Sequence, residues 1–302
     1  MNYRIGVDIG GTSVKIGVVD SECNVVKKDG IPTAGRTADS IIGDIITQCN
    51  KYSEEYKIDS IGIGSAGNID AENGIVRRAG NLPFRDEPIV YKIEKGTGIK
   101  AKVDNDGSCA LLGEHVAGAA RGCDDAIIMT IGTGIGGAIM IGGKIYHGVN
   151  NRAGELGHFV FNPEGPRCEC GLRGCYEQYA SATALIRMTK EAAEKNPDSL
   201  LAKRVSEKLD GVTPFKASEE GCPIAKKVLA DYGYILALGI NSYTNIFRPE
   251  VTVIAGGIAN EKEKLLALIE PYQFNDTVVK ITELYGNGGL IGASLLGTEY
   301  DI

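Results

Sequence analysis

The chain has 302 residues, with 39 Asp and Glu against 32 Lys and Arg for a formal charge of −7. It therefore lacks the basic face of a general nucleic-acid or anionic-membrane binder, although backbone amides can still make a local phosphate site. Its apolar (43%) and charged (24%) fractions exclude a disordered chain and a coiled coil, and no apolar run approaches the ~18 residues of a membrane span.

Glycine is the outlier. Its 41 residues far exceed the usual ~7% and gather in turns without collagen's period. The length suits two domains of about 150 residues each. The opening MNYRIGVDIGGT lacks the parts of a signal peptide, so a cytoplasmic location with reduced thiols is expected.

Residues 3–8 alternate and are rich in strand formers, break at Gly10-Gly11, and resume as a strand over 14–20. A third strand is predicted over 24–28. Thr37 or Asp39 can cap a helix whose face carries Ile41, Ile42, Ile45, Ile46 and Cys49. Residues 58–64 read as a buried strand, 100–103 as a short one, and 108–120 as a helix. Strands over 126–131 and 138–141 then flank a second glycine turn at 132–137. The two glycine hairpins lie about 120 residues apart and each carries a threonine at its tip, which predicts a duplicated lobe with a phosphate-facing turn in each half. Helices follow over 182–194, 199–209 and 223–247, the last with Pro223 in its first turn and Pro249 beyond its end. A strand over 251–255, a helix over 261–269, a strand over 278–283 and a small-residue helix over 288–296 complete an α/β pattern.

Three groups of residues carry chemistry. In Asp8-Ile9-Gly10-Gly11-Thr12-Ser13-Val14-Lys15, a carboxylate at a strand end can hold Mg²⁺ while glycine amides approach phosphate. A tight hairpin with a solvated Asp is the plainer alternative, and the turn is neither GxGxxG nor a Walker loop. Asn105-Asp106 joins a strand to a helix, where Asp106 can take a hydroxyl proton and Asn105 can hold a polyol; taken alone, the pair is better explained by simple capping of the helix at Ser108. The most specific group is His158 with Cys168, Cys170 and Cys175. One imidazole and three thiolates make a closed tetrahedral zinc set with no open position, so the ion is expected to be structural. His115 and His147 read as ordinary helix and loop residues. Zinc would draw Glu155 and Glu177 toward one wall, and paired carboxylates suit a sugar's hydroxyls.

Together these residues resemble the ROK family of sugar kinases, repressors and related proteins, within the actin-like ATPase superfamily. The resemblance rests on DIGGTSVK at 8–15, ND at 105–106, GTGIGG at 132–137, GELGH at 154–158, CECGLRGCYE at 168–177 and AGGIA at 255–259. It implies two actin-like (ribonuclease H-like) α/β lobes with the active site in the cleft between them. The N-terminal lobe would be 1–119, with a C-terminal helix at 286–302 returning to it, and the second lobe 120–285. It further implies that Asp106 is the general base and that Asn105, Glu155, His158 and Glu177 bind sugar, with Gly67 and Asn81 on further sugar-side turns. Gly10, Gly11 and Thr12, with Thr133 and Gly134, would cradle ATP phosphates. Asp8 would position Mg²⁺, Lys15 would add charge, and Gly256 and Gly257 would admit the adenosine.

The implied cofactors are Mg-ATP and structural zinc; the implied partners are a sugar, ATP and further copies of the chain, with no nucleic acid and no membrane. Glucose is the first expectation, with N-acetylmannosamine, N-acetylglucosamine or fructose as same-family alternatives. One departure bears on that choice: many relatives have proline-glycine-proline where this chain has Ala66-Gly67-Asn68. A ROK repressor or a non-catalytic sugar sensor is the rival class. Repressors carry a winged helix-turn-helix ahead of the first hairpin, whereas Asp8 comes after seven residues.

Overall fold

The computed structural model describes residues 2–80, 82–274 and 276–301. In chain order the elements are β1 (Tyr3–Ile9), β2 (Ser13–Val19), β3 (Val25–Pro32), α1 (Ala38–Glu55), β4 (Ile58–Ser65), β5 (Asn68–Asp70), β6 (Ile75–Arg78), β7 (Arg85–Glu87), α2 (Ile89–Thr97), β8 (Ala101–Asn105) and α3 (Asp106–Ala117). They continue with β9 (Ala126–Ile131), β10 (Ile135–Ile141), β11 (Lys144–Ile145), α4 (Glu177–Ala180), α5 (Ala182–Lys195), α6 (Leu200–Glu207), α7 (Thr213–Glu219), α8 (Pro223–Phe247), β12 (Val251–Gly256), α9 (Glu263–Ile269), β13 (Val279–Ile281) and α10 (Gly288–Ser294).

One five-stranded sheet has the order β3-β2-β1-β4-β8 and a second has β11-β10-β9-β12-β13. In the first, β1–β2 and β2–β3 are antiparallel, while β1–β4 and β4–β8 are parallel. In the second, β10–β11 is antiparallel and β12–β13 parallel. The same order built twice, a meander followed by added strands, agrees with the duplication expected from the two glycine hairpins. A separate antiparallel sheet, β5-β6-β7, was not anticipated. Its strands of three and four residues are too short to show a period of two.

The chain divides into two compact units. One holds the chain up to Ile128, Ala138–Gly154 and the chain from Thr282; the other holds Met129–Gly137 and Glu155–Ile281.

In the first unit, strand alternation gives the main sheet two different faces. Ile5, Val7 and Ile9 of β1, with Ile61 and Ile63 of β4, join Ile41, Ile45, Cys49 and Tyr52 of α1 in one buried cluster. Thr37 caps α1 by accepting the Ser40 amide, and the chain turns extended at Tyr56. The opposite face carries Gly6 and Gly62. A Cβ at Gly6 would collide with the Leu290 carbonyl, and one at Gly62 with that of Ala293, so α10 lies with its backbone directly on β1 and β4. Gly113 of α3 and Gly292 of α10 let those helices meet equally closely.

In the second unit, α8 is the longest helix, with Pro223 in its first turn and Arg248 in the left-handed region just past its end. Among the described residues no helix is long and apolar enough to cross a membrane.

Candidate active site

Asp8 sits near the end of β1, in register with Lys15 on β2 and Gly64 on β4. It points to the glycine face of the sheet. There its carboxylate meets the first turn of α10, where a Cβ on Gly289 would lie 2.9 Å from its Cγ. Burial lifts the Asp8 carboxyl above the ordinary range, with the Lys15 ammonium opposing the shift. Lys15 Nζ lies 3.4 Å from Asp8 Oδ2 and donates to the Gly286 carbonyl at 3.0 Å. Its charge is thus spent first on Asp8.

Between the strands, Gly11 and Thr12 are exposed and the Gly10 amide donates to the Ser13 carbonyl at 3.0 Å. Thr33 fastens this turn, its hydroxyl to the Gly11 carbonyl at 3.0 Å and its amide to the Thr12 carbonyl at 3.2 Å. Sequence reasoning missed Thr33, since nothing local marks a residue that acts from 22 positions away.

Asn105 ends β8 and caps α3, its side-chain oxygen accepting from the Gly107 and Ser108 amides. The helix therefore starts at Asp106, two residues before the predicted start, and Asp106 stands half-buried at its first position. The Asn105 amide nitrogen donates to the Gly67 carbonyl at 3.3 Å. Gly67 has φ +108, and a Cβ there would overlap the Arg78 carbonyl, so no other residue fits this turn. One end of the Asn105 amide thus caps the helix and the other ties down the Gly67 turn. Asn68 is the first residue of β5, paired with Arg78. Asn81 lies outside the described residues.

In the second unit, the Gly132 amide bonds the Gly134 carbonyl at 3.0 Å, and the Gly132 carbonyl accepts the Ala182 amide at 3.0 Å. Thr133 is exposed at the tip. The Glu177 carboxylate lies against Gly134, so that a Cβ there would overlap Oε2. Gly256, at φ +92, has no room for a Cβ beside the Ile131 carbonyl, whereas Gly257 faces open space.

His158, Cys168, Cys170 and Cys175 offer ligand atoms that all lie within 4.8 Å of one another. Cys168 Sγ is 3.6 Å from His158 Nδ1. Cys170 and Cys175 Sγ are 3.4 Å apart, and all eight cysteines are free thiols. With metal–sulfur bonds of about 2.3 Å, a tetrahedral ion holds its sulfurs at comparable separations, so the donor set fits one. Nδ1 faces this cluster while Nε2 lies 3.8 Å from Glu155 Oε2, the arrangement of a ligating histidine backed by a carboxylate. Glu177 Oε1 is 3.7 Å from Nδ1 and accepts from Cys168 Sγ at 3.0 Å.

Gly171 and Gly174 take positive φ, 97° and 69°, in the turns between the thiols. Beneath the segment is an aromatic layer that the sequence did not reveal: Phe159 stacks on Tyr176 at 4.9 Å, and Tyr243 of α8 meets both rings edge-on. Tyr243 donates to the Leu156 carbonyl at 2.6 Å and Tyr176 to that of Leu236 at 3.0 Å. The cluster is thereby anchored to α8, whose Gly239 leaves room for the Tyr176 ring.

Two glycine turns, a carboxylate under one of them, a capped Asn-Asp pair and a His/Cys₃ cluster thus stand in chain order, and the sequence profile of the ROK family matches residues 4–299. The chain belongs to the ROK family. Two glucokinases are similar to this ROK chain over nearly its full length. That of Thermotoga maritima is 36% identical over 309 residues, 98% of this chain and 97% of its own. That of Streptomyces coelicolor is 32% identical over 315 residues, 100% and 99%. A ROK glucokinase from Streptomyces griseus, solved with glucose and AMPPNP, superposes with a TM-score of 0.85 at 33% identity, covering 97% of this chain and 98% of its own. The expected actin-like α/β fold is thus the observed one.

Proposed function

We propose that this ROK protein is an ATP:hexose phosphotransferase that converts glucose to glucose 6-phosphate. Full-length similarity to glucokinases, one solved with glucose and a nucleotide, supports the activity. The observation that carries the chemistry is the Asn105 cap, which stations Asp106 at the end of β8 beside the Gly67 turn.

In this reading Asp106 takes the proton from the attacking sugar hydroxyl. Asn105, Gly67, Glu155, His158 and Glu177 hold the sugar, and Asn81 belongs to the same set. The Gly10-Gly11-Thr12 and Thr133-Gly134 turns hold the phosphates, Gly256 and Gly257 admit the adenosine, and Asp8 serves the magnesium that accompanies ATP. Phosphoryl transfer needs chiefly positioning and charge stabilisation, which these parts supply. Lys15 acts here mainly by compensating Asp8, the anionic one of its two partners.

We assign zinc to His158, Cys168, Cys170 and Cys175. Bound there it would cross-link the segment that carries Glu155 and Glu177, without activating water. The reading also includes lobes divided near residues 119 and 285, a cytoplasmic location and assembly into homo-oligomers.

The test is ADP release with Mg-ATP across glucose, N-acetylglucosamine, N-acetylmannosamine, mannose and fructose, with Asp106→Asn as control. Turnover of glucose ahead of the others, lost by a factor of about 10² to 10⁴ in the variant, is expected. Near-normal kcat in Asp106→Asn would refute the base assignment. Preference for an N-acetylhexosamine would move the substrate and point to Asn68, while silence toward every sugar would favour a sensor.

A further inference from the structure

Asp104, the residue before Asn105 in β8, is a buried carboxylate, 5% exposed. One of its oxygens accepts the Asn105 backbone N–H at 2.7 Å. The other lies 2.8 Å from Nε2 of His147, a residue 43 positions away that looked like an ordinary loop histidine. The His147 ring also hydrogen-bonds the Ile145 backbone, a contact that favours its protonated form. A buried carboxylate at hydrogen-bond distance from Nε2, together with that backbone contact, favours the imidazolium.

The geometry points to His147 as a positioning residue for the phosphoryl-transfer base: its imidazolium locks Asp104, Asp104 holds the Asn105 amide, and Asn105 sets the start of the helix that presents Asp106. This rests on the reading of Asp106 as the base. The chain of contacts is short and every link is directional. Asn105 must keep extended backbone angles (φ −65, ψ 145) for its side chain to cap the Gly107 and Ser108 amides while donating to Gly67. A buried Asp104 without its partner would be free to leave the Asn105 amide, and its uncompensated charge would stand two residues from the base.

The hydrogen bond to Asp104, opposed by burial, raises the His147 pKa above its ordinary 6.5, with Asp104 and Asp301 adding attraction. Lys102, Asp301 and Glu72 line one cavity that His147 also lines, and Asp70, Glu72, Arg77 and Arg152 line a second. Lys102 pairs with Asp301 at 3.2 Å and Arg77 with Asp70 at 2.5 Å, so most of the charge around His147 is already balanced and Asp104 dominates. The sign follows. A histidine whose pKa is raised keeps its ion pair below that pKa and loses it as pH rises through it. The wild-type rate should therefore decline in that window, above 6.5.

The experiment compares wild type, His147→Ala and His147→Gln by steady-state kinetics from about pH 6 to 9, spanning that titration, with an NMR titration of the Asn105 amide beside it. The alanine variant is expected to lose kcat about tenfold or more with sugar KM within about threefold, the pattern of lost transition-state positioning. The glutamine variant, which keeps an N–H donor for Asp104, should recover most of the rate and lack the alkaline decline. In wild type the Asn105 amide shift should follow the His147 titration, and in His147→Gln it should not. Wild-type kcat and pH profile in the alanine variant, a change in KM alone, or an Asn105 amide blind to His147 would overturn the proposal. A wild-type chain silent toward every sugar would defeat the kinase reading instead, and the amide titration then decides the relay by itself.

Discussion

The Glu177 carboxylate lies directly against Gly134, so that the second glycine turn and a carboxylate assigned to the sugar occupy adjoining space. Under the proposed function, the turn that cradles phosphate would then also limit where a sugar ligand sits. Gly134→Ala should push the flexible carboxylate aside without disturbing backbone. We expect kcat/KM to fall about tenfold, a loss of ~1.4 kcal/mol in transition-state binding, with Tm unchanged. Paired kinetic and thermal-melt measurements check this, and a lowered Tm at normal kcat/KM would assign Gly134 a purely structural role.

The His158, Cys168, Cys170 and Cys175 cluster predicts one zinc ion per chain, measurable by elemental analysis of the purified protein. Cys175→Ala removes a buried thiol at the foot of the aromatic layer. Losing ~3 kcal/mol of metal-linked stability would lower Tm by roughly 6–12 °C, at about 2–4 °C per kcal/mol. Sugar KM should rise in the same variant because Glu155 and Glu177 lose their cross-link. A metal-free protein with unchanged Tm would contradict the assignment.

Asp8 predicts a trade between stability and function. Burial raises its carboxyl pKa, so the folded chain favours the protonated form and bears a cost for holding the charge at neutral pH. Asp8→Asn should then melt higher than wild type near pH 7 while losing most turnover. The stability gain should disappear as pH falls below the ordinary 3.8, where both folded and unfolded Asp8 are protonated. Melting curves across pH test the sign directly, and a gain that persists in acid would show that another contact is responsible.

Gly62 predicts a pure packing effect. A side chain there would meet the Ala293 backbone, which cannot move without lifting α10 from β4. Gly62→Val should cost about 2–3 kcal/mol by overpacking and disturb Asp8, which rests on the next helical contact at Gly289. Denaturant melts would show the loss, and a neutral result would mean that α10 yields more easily than its close approach implies.

Much of the chemistry was legible because it is local in the chain. The two glycine hairpins, the spacing of three thiols within eight residues and the proline-bounded helix α8 are set by neighbours a few positions apart. So is the Asn-Asp pair, although its role as cap placed the start of α3 two residues earlier than the pattern suggested. The small-residue run at 288–296 was readable as a helix, and its glycines acquire a reason only when Gly6, Gly62 and Gly113 are found facing it.

Other parts belong to the fold alone. Thr33 reaches the Gly11 turn because β3 pairs with β2, and Tyr243 reaches Leu156 across 87 positions. His147 reaches Asp104 only because the loop after β11 returns to the end of β8. Sequence periodicity reports which side of its own strand or helix a residue occupies; it holds no information about which distant residue will stand opposite. Sheet register and helix packing make that choice, and here they decide that a loop histidine, not a motif residue, meets the buried carboxylate at the end of β8.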